Sequence, residues 1–193
     1  MTKYNIVAIC GKAGAGKDAL LQALAKIYPE AHVKVSYTTR PPRDYEVDGK
    51  DYHFISKDEF IQLIEDVLML EAAEFNGWVY GTSVLDLAED KLNLGVFNPA
   101  GVEALDMHSN LNVLLIMCDC PDHIRLIRQL SRENTPDIEE VFRRYNTDRY
   151  DFSEFDIENR ENTIVLRTDG SLTTDEEAEV LKGYIDDWAN YVK

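Results

Sequence analysis
Lys17 ends the spacing Gly11-x4-Gly16-Lys17, inside the run IVAICGKAGAGKDALLQAL from Ile6 to Leu24. Glycines at this spacing let successive backbone N–H groups curl around phosphate oxygens, and the helix that follows adds the positive end of its dipole. The terminal lysine then lies against the outermost phosphates. The next residue departs from the pattern: Asp18 stands where a hydroxyl ligand of Mg²⁺ is expected. A carboxylate in a first helical turn is favourable against the dipole by about 0.3–1 kcal/mol. It is also a hard oxygen ligand for Mg²⁺, direct or through water. Metal contact is the expectation for Asp18.

The elements that must position this loop follow from hydrophobic periodicity. Tyr4–Cys10 is a short apolar run of buried-strand character, and Asp18–Ile27 carries Leu20, Leu21, Leu24 and Ile27 on one helical side before Pro29 stops it. Val33–Tyr37 predicts a second strand, TTRPPRDYEVDGKD a loop, and Asp58–Val67 a helix. Leu94–Phe97 and Leu111–Cys118 predict further strands. Helices are expected from Pro121 and from Pro136 to Tyr150, then a last strand in NTIVLRT and a terminal amphipathic helix. Strand and helix alternate in the first and last thirds, which predicts an α/β fold of three layers around a mostly parallel sheet. Residues 34–93 break that rhythm and are expected to be an insertion carrying a second substrate site. The expected division is a core of 1–33, 94–127 and 151–193, the insertion 34–93, and a lid 128–150.

From Ser36 the insertion runs SYTTRPPRDYEVDGKDYHFIS, then EAAEFNGWVYGTS from Glu71. Two long ordered segments of this kind behind a phosphate loop resemble the guanylate kinase family, with similarity over about residues 3–150. The resemblance implies a P-loop kinase fold, with ATP on Gly11, Lys12, Ala13, Gly14, Ala15, Gly16, Lys17 and Asp18. It implies GMP phosphate on Arg40, Arg43, Tyr52 and Tyr80, and guanine on Ser36, Glu71 and Thr82. Arg132 and Arg143 match the two arginines that close over the transferring phosphoryl group, so Lys17, Arg40, Arg132 and Arg143 are the expected catalytic residues. Residue chemistry agrees: guanidinium suits forked phosphate contacts, and two prolines stiffen the loop between Arg40 and Arg43. A carboxylate such as Glu71 suits the adjacent N1–H and N2–H₂ donors of guanine. Arg125 and Arg128 read as the polar face of their helix, and Arg144 and Arg149 are ambiguous.

The family's acidic segment after the insertion is altered here to GVFNPAGVEAL, with Asn98 where the first acid should fall. Asn98 is expected to touch the metal through water, and Asp18 to supply the missing carboxylate. The activity implied is transfer of the γ-phosphoryl group from ATP to GMP or dGMP, with Mg²⁺. The alternatives are a nucleoside monophosphate kinase of broader base preference, or a non-catalytic module of this fold that binds phosphopeptides.

Bulk properties bound these expectations. The net charge of the 193 residues is -16, which disfavours nucleic acid and anionic membrane as partners. Residues 151–193 carry twelve acids against four bases, whereas 121–150 balance six arginines with six acids, so a small anion can still find a cationic pocket there. Three cysteines without framework spacing predict buried, reduced thiols. No apolar run suits a signal peptide or membrane span, so a cytoplasmic protein is expected. The histidines at 32, 53, 108 and 123 are scattered and none is expected to be catalytic.

Overall fold
The computed structural model describes residues 3–43, 46–75, 77–132 and 134–192. In chain order the elements are β1 (Tyr4–Gly11), α1 (Lys17–Ile27), β2 (His32–Val33), β3 (Tyr37–Thr38), β4 (His53–Phe54) and α2 (Lys57–Glu65). They continue with β5 (Met69–Phe75), β6 (Trp78–Ser83), β7 (Leu92–Val96), α3 (Pro99–Asp106) and β8 (Leu111–Asp119). The last are α4 (Asp122–Leu130), α5 (Ile138–Asp151), β9 (Thr163–Arg167) and α6 (Thr174–Tyr191).

The central sheet has the order β2-β7-β1-β8-β9 and is parallel throughout. Side chains alternate across it, so one β1 face carries Val7 and Ile9 and the other Ile6, Ala8 and Cys10. The first face packs with Leu20 and Leu24 of α1 and with Leu181, Ile185 and Trp188 of α6. The second packs with Val102 and Leu105 of α3 and with Phe97. Covering both faces is what makes β1 and β8 near-continuous apolar runs. This is the three-layer arrangement expected from the alternation. Cys10, Cys118 and Cys120 are buried and free; burial pushes the Cys10 and Cys118 thiols up to about 12.

The insertion holds its own four-stranded sheet, order β4-β3-β6-β5, with β6 antiparallel to both neighbours. The single strand expected over Val33–Tyr37 is two short ones in different sheets. Between them the Lys34 N–H donates to Leu94 O (2.8 Å) as the chain passes from one sheet to the other. The β5–β6 hairpin was not predicted as strands. Its residues Ala72, Ala73 and Glu74 are exposed, so the run shows little apolar alternation. The core resumes at Leu92, two residues before the expected boundary. Buried Asn93 explains this: its amide donates to Asn5 O, Ala88 O and Lys91 O and accepts from the Ala88 N–H. Residues 44 and 45 of the predicted loop lie outside the described residues.

Asp86 joins the two sheets. Its carboxylate accepts from the Val35 N–H (2.6 Å) and lies 3.2 Å from His32 Nε2 on the core and 3.0 Å from His53 Nε2 on the insertion. Both histidines thus serve the junction. Among the described residues no helix is long and apolar enough to cross a membrane.

Candidate active site
β1 ends at Gly11 and α1 begins at Lys17, so the glycine run is the turn that joins a buried strand to a helix N-terminus. Gly14 and Gly16 take φ +81° and +95°, the left-handed region where a side chain is strained. A Cβ on Gly14 would also stand 2.4 Å from the Arg125 carbonyl oxygen. The loop can lie against α4 only without one. Lys17 Nζ donates to Lys12 O (3.1 Å), folded back along the loop. A cavity of about 500 Å³ opens here, with Lys17 and Asp18 on one wall and Arg128, Arg132 and Arg144 on the other. Asp18 is exposed and faces Arg132 Nη2 at 3.9 Å.

Behind the loop sits a buried cation that the sequence did not single out for this role. Arg125 is fully buried, not the solvated helix face expected of it. Its Nε donates to Asp122 Oδ1 and its Nη1 to Asp148 Oδ2, both at 2.8 Å. The guanidinium lies 4.6 Å from the Tyr145 ring centroid. Asp148 in turn accepts from the Ala13 N–H, at 3.0 Å to Oδ2 and 3.2 Å to Oδ1. Burial raises the Asp148 pKa, while the Ala13 N–H and Arg125 pull it the other way. The Gln129 amide donates to Ala13 O (3.2 Å). Loop, α4 and α5 are therefore held together through one ion pair.

The phase of α5 decides which lid arginine reaches the cavity. Arg144 lines it beside Arg132, whereas Arg143, expected in that place, is not among the lining residues. Arg143 Nε and Nη2 donate to the two Glu140 oxygens at 2.6 and 2.8 Å, which holds the Glu140 carboxyl down to about 2. Asn98 is not among the residues lining this cavity either. It is the N-cap of α3, its Oδ1 accepts from the Gly101 N–H (2.8 Å), and it lines a separate cleft beside Tyr150 and Ser153.

The insertion assembles the second set. Arg40 donates from Nη1 and Nη2 to both Glu46 oxygens (2.9 and 2.8 Å), and Glu46 also accepts from the Arg43 N–H (2.7 Å). The Arg40 guanidinium is shared with Tyr80 and lies 5.5 Å from the Tyr52 ring, and the two tyrosine rings meet edge-on at 5.9 Å. Arg40 holds the Glu46 carboxyl below its ordinary value, and burial raises Tyr52. The charge of Asp18 also acts on Tyr52, so the two sites are within electrostatic reach. Deeper in, Thr82 Oγ1 donates to Glu71 Oε1 (2.6 Å). Lys34 Nζ donates to Ser36 Oγ (2.8 Å) and Thr82 Oγ1 (3.0 Å). Ser36, Glu71 and Thr82 are thus brought together around a lysine that sequence reasoning missed. The signal was the alternation in VKVS, which puts Lys34 and Ser36 on one face of an extended segment. Glu46 lies in the same loop as Arg40, six residues beyond it and three beyond Arg43. Asp148 had no such signal, because its partners Arg125 and Ala13 are set by tertiary contact.

Residues 3–165 match the model of the family described as Guanylate kinase. The chain is 44% identical to a guanylate kinase of Prochlorococcus marinus over 96 residues, which span 49% of this chain and 52% of that relative. It is 32% identical to one from Frankia casuarinae over 163 residues, 81% of this chain and 88% of that one. The match thus spans about half the length of the first and most of the second. The crystal structure of guanylate kinase from Anaplasma phagocytophilum superposes with TM-score 0.61 over 97% of this chain and 87% of that one, at 21% identity, which establishes the shared fold.

Two outcomes follow from the site's electrostatics. Asp148→Ala leaves the fully buried Arg125 with Asp122 as its remaining carboxylate. The expected loss is about 2–3 kcal/mol of unfolding free energy in urea, below the ~3–5 kcal/mol of a buried charge left with no partner. Burial lowers Lys34 from 10.5 to about 8. Between those values the unfolded chain binds the extra proton, so this group's contribution to stability rises with pH. The unfolding free energy of wild type relative to Lys34→Met is expected to increase from pH 8 to 10.

Proposed function
The chain belongs to the guanylate kinase family, and on that premise we propose that it moves the γ-phosphoryl group of ATP onto the phosphate of GMP or dGMP, releasing ADP and the diphosphate. The observation that carries this reading is a pair of cationic clusters of different construction, read here as two anion sites. One is a glycine loop with a lysine; the other is a guanidinium flanked by two phenols.

The nucleophile is an oxygen of the acceptor phosphate, already ionised at neutral pH, so no general base is required. Its lone pair forms the new P–O bond as the bond from the γ-phosphorus to the β,γ-bridging oxygen breaks, and that electron pair leaves on ADP. Rate then rests on in-line alignment and on positive charge around the transferring group. In this proposal Lys17 and the loop amides hold the donor phosphates. Arg40, Arg43, Tyr52 and Tyr80 hold the acceptor phosphate. Arg132 and Arg143 remain the candidates for closing over the transferring group, and Arg144 joins them because it already lines the cavity. Ser36, Glu71 and Thr82 meet the base.

The donor set suits Mg²⁺. Among the described residues no cluster of three or more His, Cys, Asp or Glu side chains could hold an ion. Asp18 offers one exposed carboxylate beside the loop, as for a metal held mainly by substrate phosphates and water. Bound there, Mg²⁺ would neutralise charge on the β and γ phosphates. Asp18 is the side chain proposed to hold it, with Asn98 proposed to reach it through water by the second lone pair of the oxygen that caps α3. Three unpaired buried cysteines suit a reducing compartment, so the cytoplasm is the proposed location.

A coupled assay with ATP and each ribo- and deoxynucleoside monophosphate tests the reaction, and GMP or dGMP is expected to be the preferred acceptor. Lys17→Met is expected to lower kcat about 10²–10³-fold, as for removal of one charge-stabilising donor. In Asp18→Ala the Mg²⁺ concentration giving half-maximal rate should rise severalfold; an unchanged titration curve removes Asp18 from the metal site.

A further inference from the structure
The geometry points to Lys34 as a specificity-determining residue of the acceptor site: its ammonium orients the Ser36 and Thr82 hydroxyls so that the pocket selects a 6-oxo purine over a 6-amino one. This deepens the phosphotransfer reading above and rests on it.

An ammonium group only donates. Lys34 Nζ gives one N–H to Ser36 Oγ (2.8 Å) and one to Thr82 Oγ1 (3.0 Å), and sits over the Phe97 ring at 4.4 Å from its centroid. Each hydroxyl therefore accepts from the lysine and must point its single proton elsewhere. The Thr82 proton goes to Glu71 Oε1 at 2.6 Å. The Ser36 proton is turned away from the cation, available to an acceptor on a ligand, while Glu71 Oε2 is the carboxylate oxygen left to receive an N–H. A donor beside an acceptor matches O6 and N1–H of guanine. Adenine reverses both: its amino group would face the Ser36 proton, and its bare N1 would face the Glu71 carboxylate.

The fold makes room for this lysine. A Cβ on Gly95 of β7 would lie 3.1 Å from Lys34 Cε and 2.8 Å from Phe97 Cε2, so the glycine opens the slot through which the stem passes. The charges acting on the ammonium are Glu71 and Asp86, the latter engaged by the Val35 N–H and by His32 and His53.

The test is calorimetric binding of GMP, AMP and 6-thioguanosine monophosphate to wild type, Lys34→Met and Lys34→Gln, with turnover measured in parallel. Sulfur is a poor acceptor, so the thio compound should bind wild type about tenfold more weakly than GMP. Lys34→Met should weaken GMP about 10–100-fold, shrink the GMP-to-AMP ratio by at least about tenfold, and remove most of the thio penalty. Lys34→Gln should fall between. A wild type that binds GMP and its thio analogue equally, or a folded Lys34→Met that keeps the wild-type GMP-to-AMP ratio, overturns the proposal. Binding that follows these expectations with no turnover on any acceptor upholds Lys34 and overturns the phosphotransfer reading instead.

Discussion
The buried guanidinium of Arg125 is the constraint around which the donor side is built. A charge with no exposure to water must be matched by carboxylates, or the folded state pays several kcal/mol. Here the matching groups come from two elements: Asp122 opens its own helix, and Asp148 arrives from α5. Asp148 then spends its remaining capacity on the Ala13 N–H, and Gln129 takes the Ala13 carbonyl. Neutralising one cation thus sets the position of the phosphate loop relative to the arginine-bearing lid. Gly14 belongs to the same constraint, because its bare Cα is what lets the loop rest against the Arg125 backbone.

The acceptor side uses the same economy on a different scale. Arg40 is held flat by a forked contact with Glu46, with two phenols beside it. For the phosphate proposed to bind here, a guanidinium fixed beforehand would reduce the ordering that binding otherwise demands. Further in, a lysine, two hydroxyls and a carboxylate form a chain with one allowed direction of hydrogen bonding. Asp86 anchors both regions to the core by bridging histidines of the two sheets. The two sites are therefore carried on separate sheets but share one electrostatic junction.

Much of the site was visible in the residues before any fold was known. The spacing Gly11-x4-Gly16-Lys17 announced a phosphate loop because glycine is the residue that tolerates its backbone angles. Arg40, Tyr52, Tyr80, Ser36, Glu71 and Thr82 lay in two ordered segments and do converge. Phase and partner choice were not legible there. Arg143 and Arg144 are neighbours in sequence but about 100° apart around a helix, and only packing of α5 decides which one faces the cavity. Arg125 looked like a solvated charge because apolar Ile127 and Leu130 of the same helix are the exposed ones. Asn98, expected to reach the metal through water, also caps the start of α3.

By itself the sequence determined the alternation of buried strands and amphipathic helices and the phosphate loop. These are local properties, fixed by side-chain period and by the backbone freedom of glycine. The groups proposed to hold a second phosphate and a purine came from its resemblance to a family. Which sheet each strand joined, which carboxylate met the buried arginine, and which hydroxyls the Lys34 ammonium reached were decided only in three dimensions. The pairings of Arg125 with Asp148 and of Lys34 with Thr82 link residues 23 and 48 positions apart, and their energies exist only once water has been excluded between them.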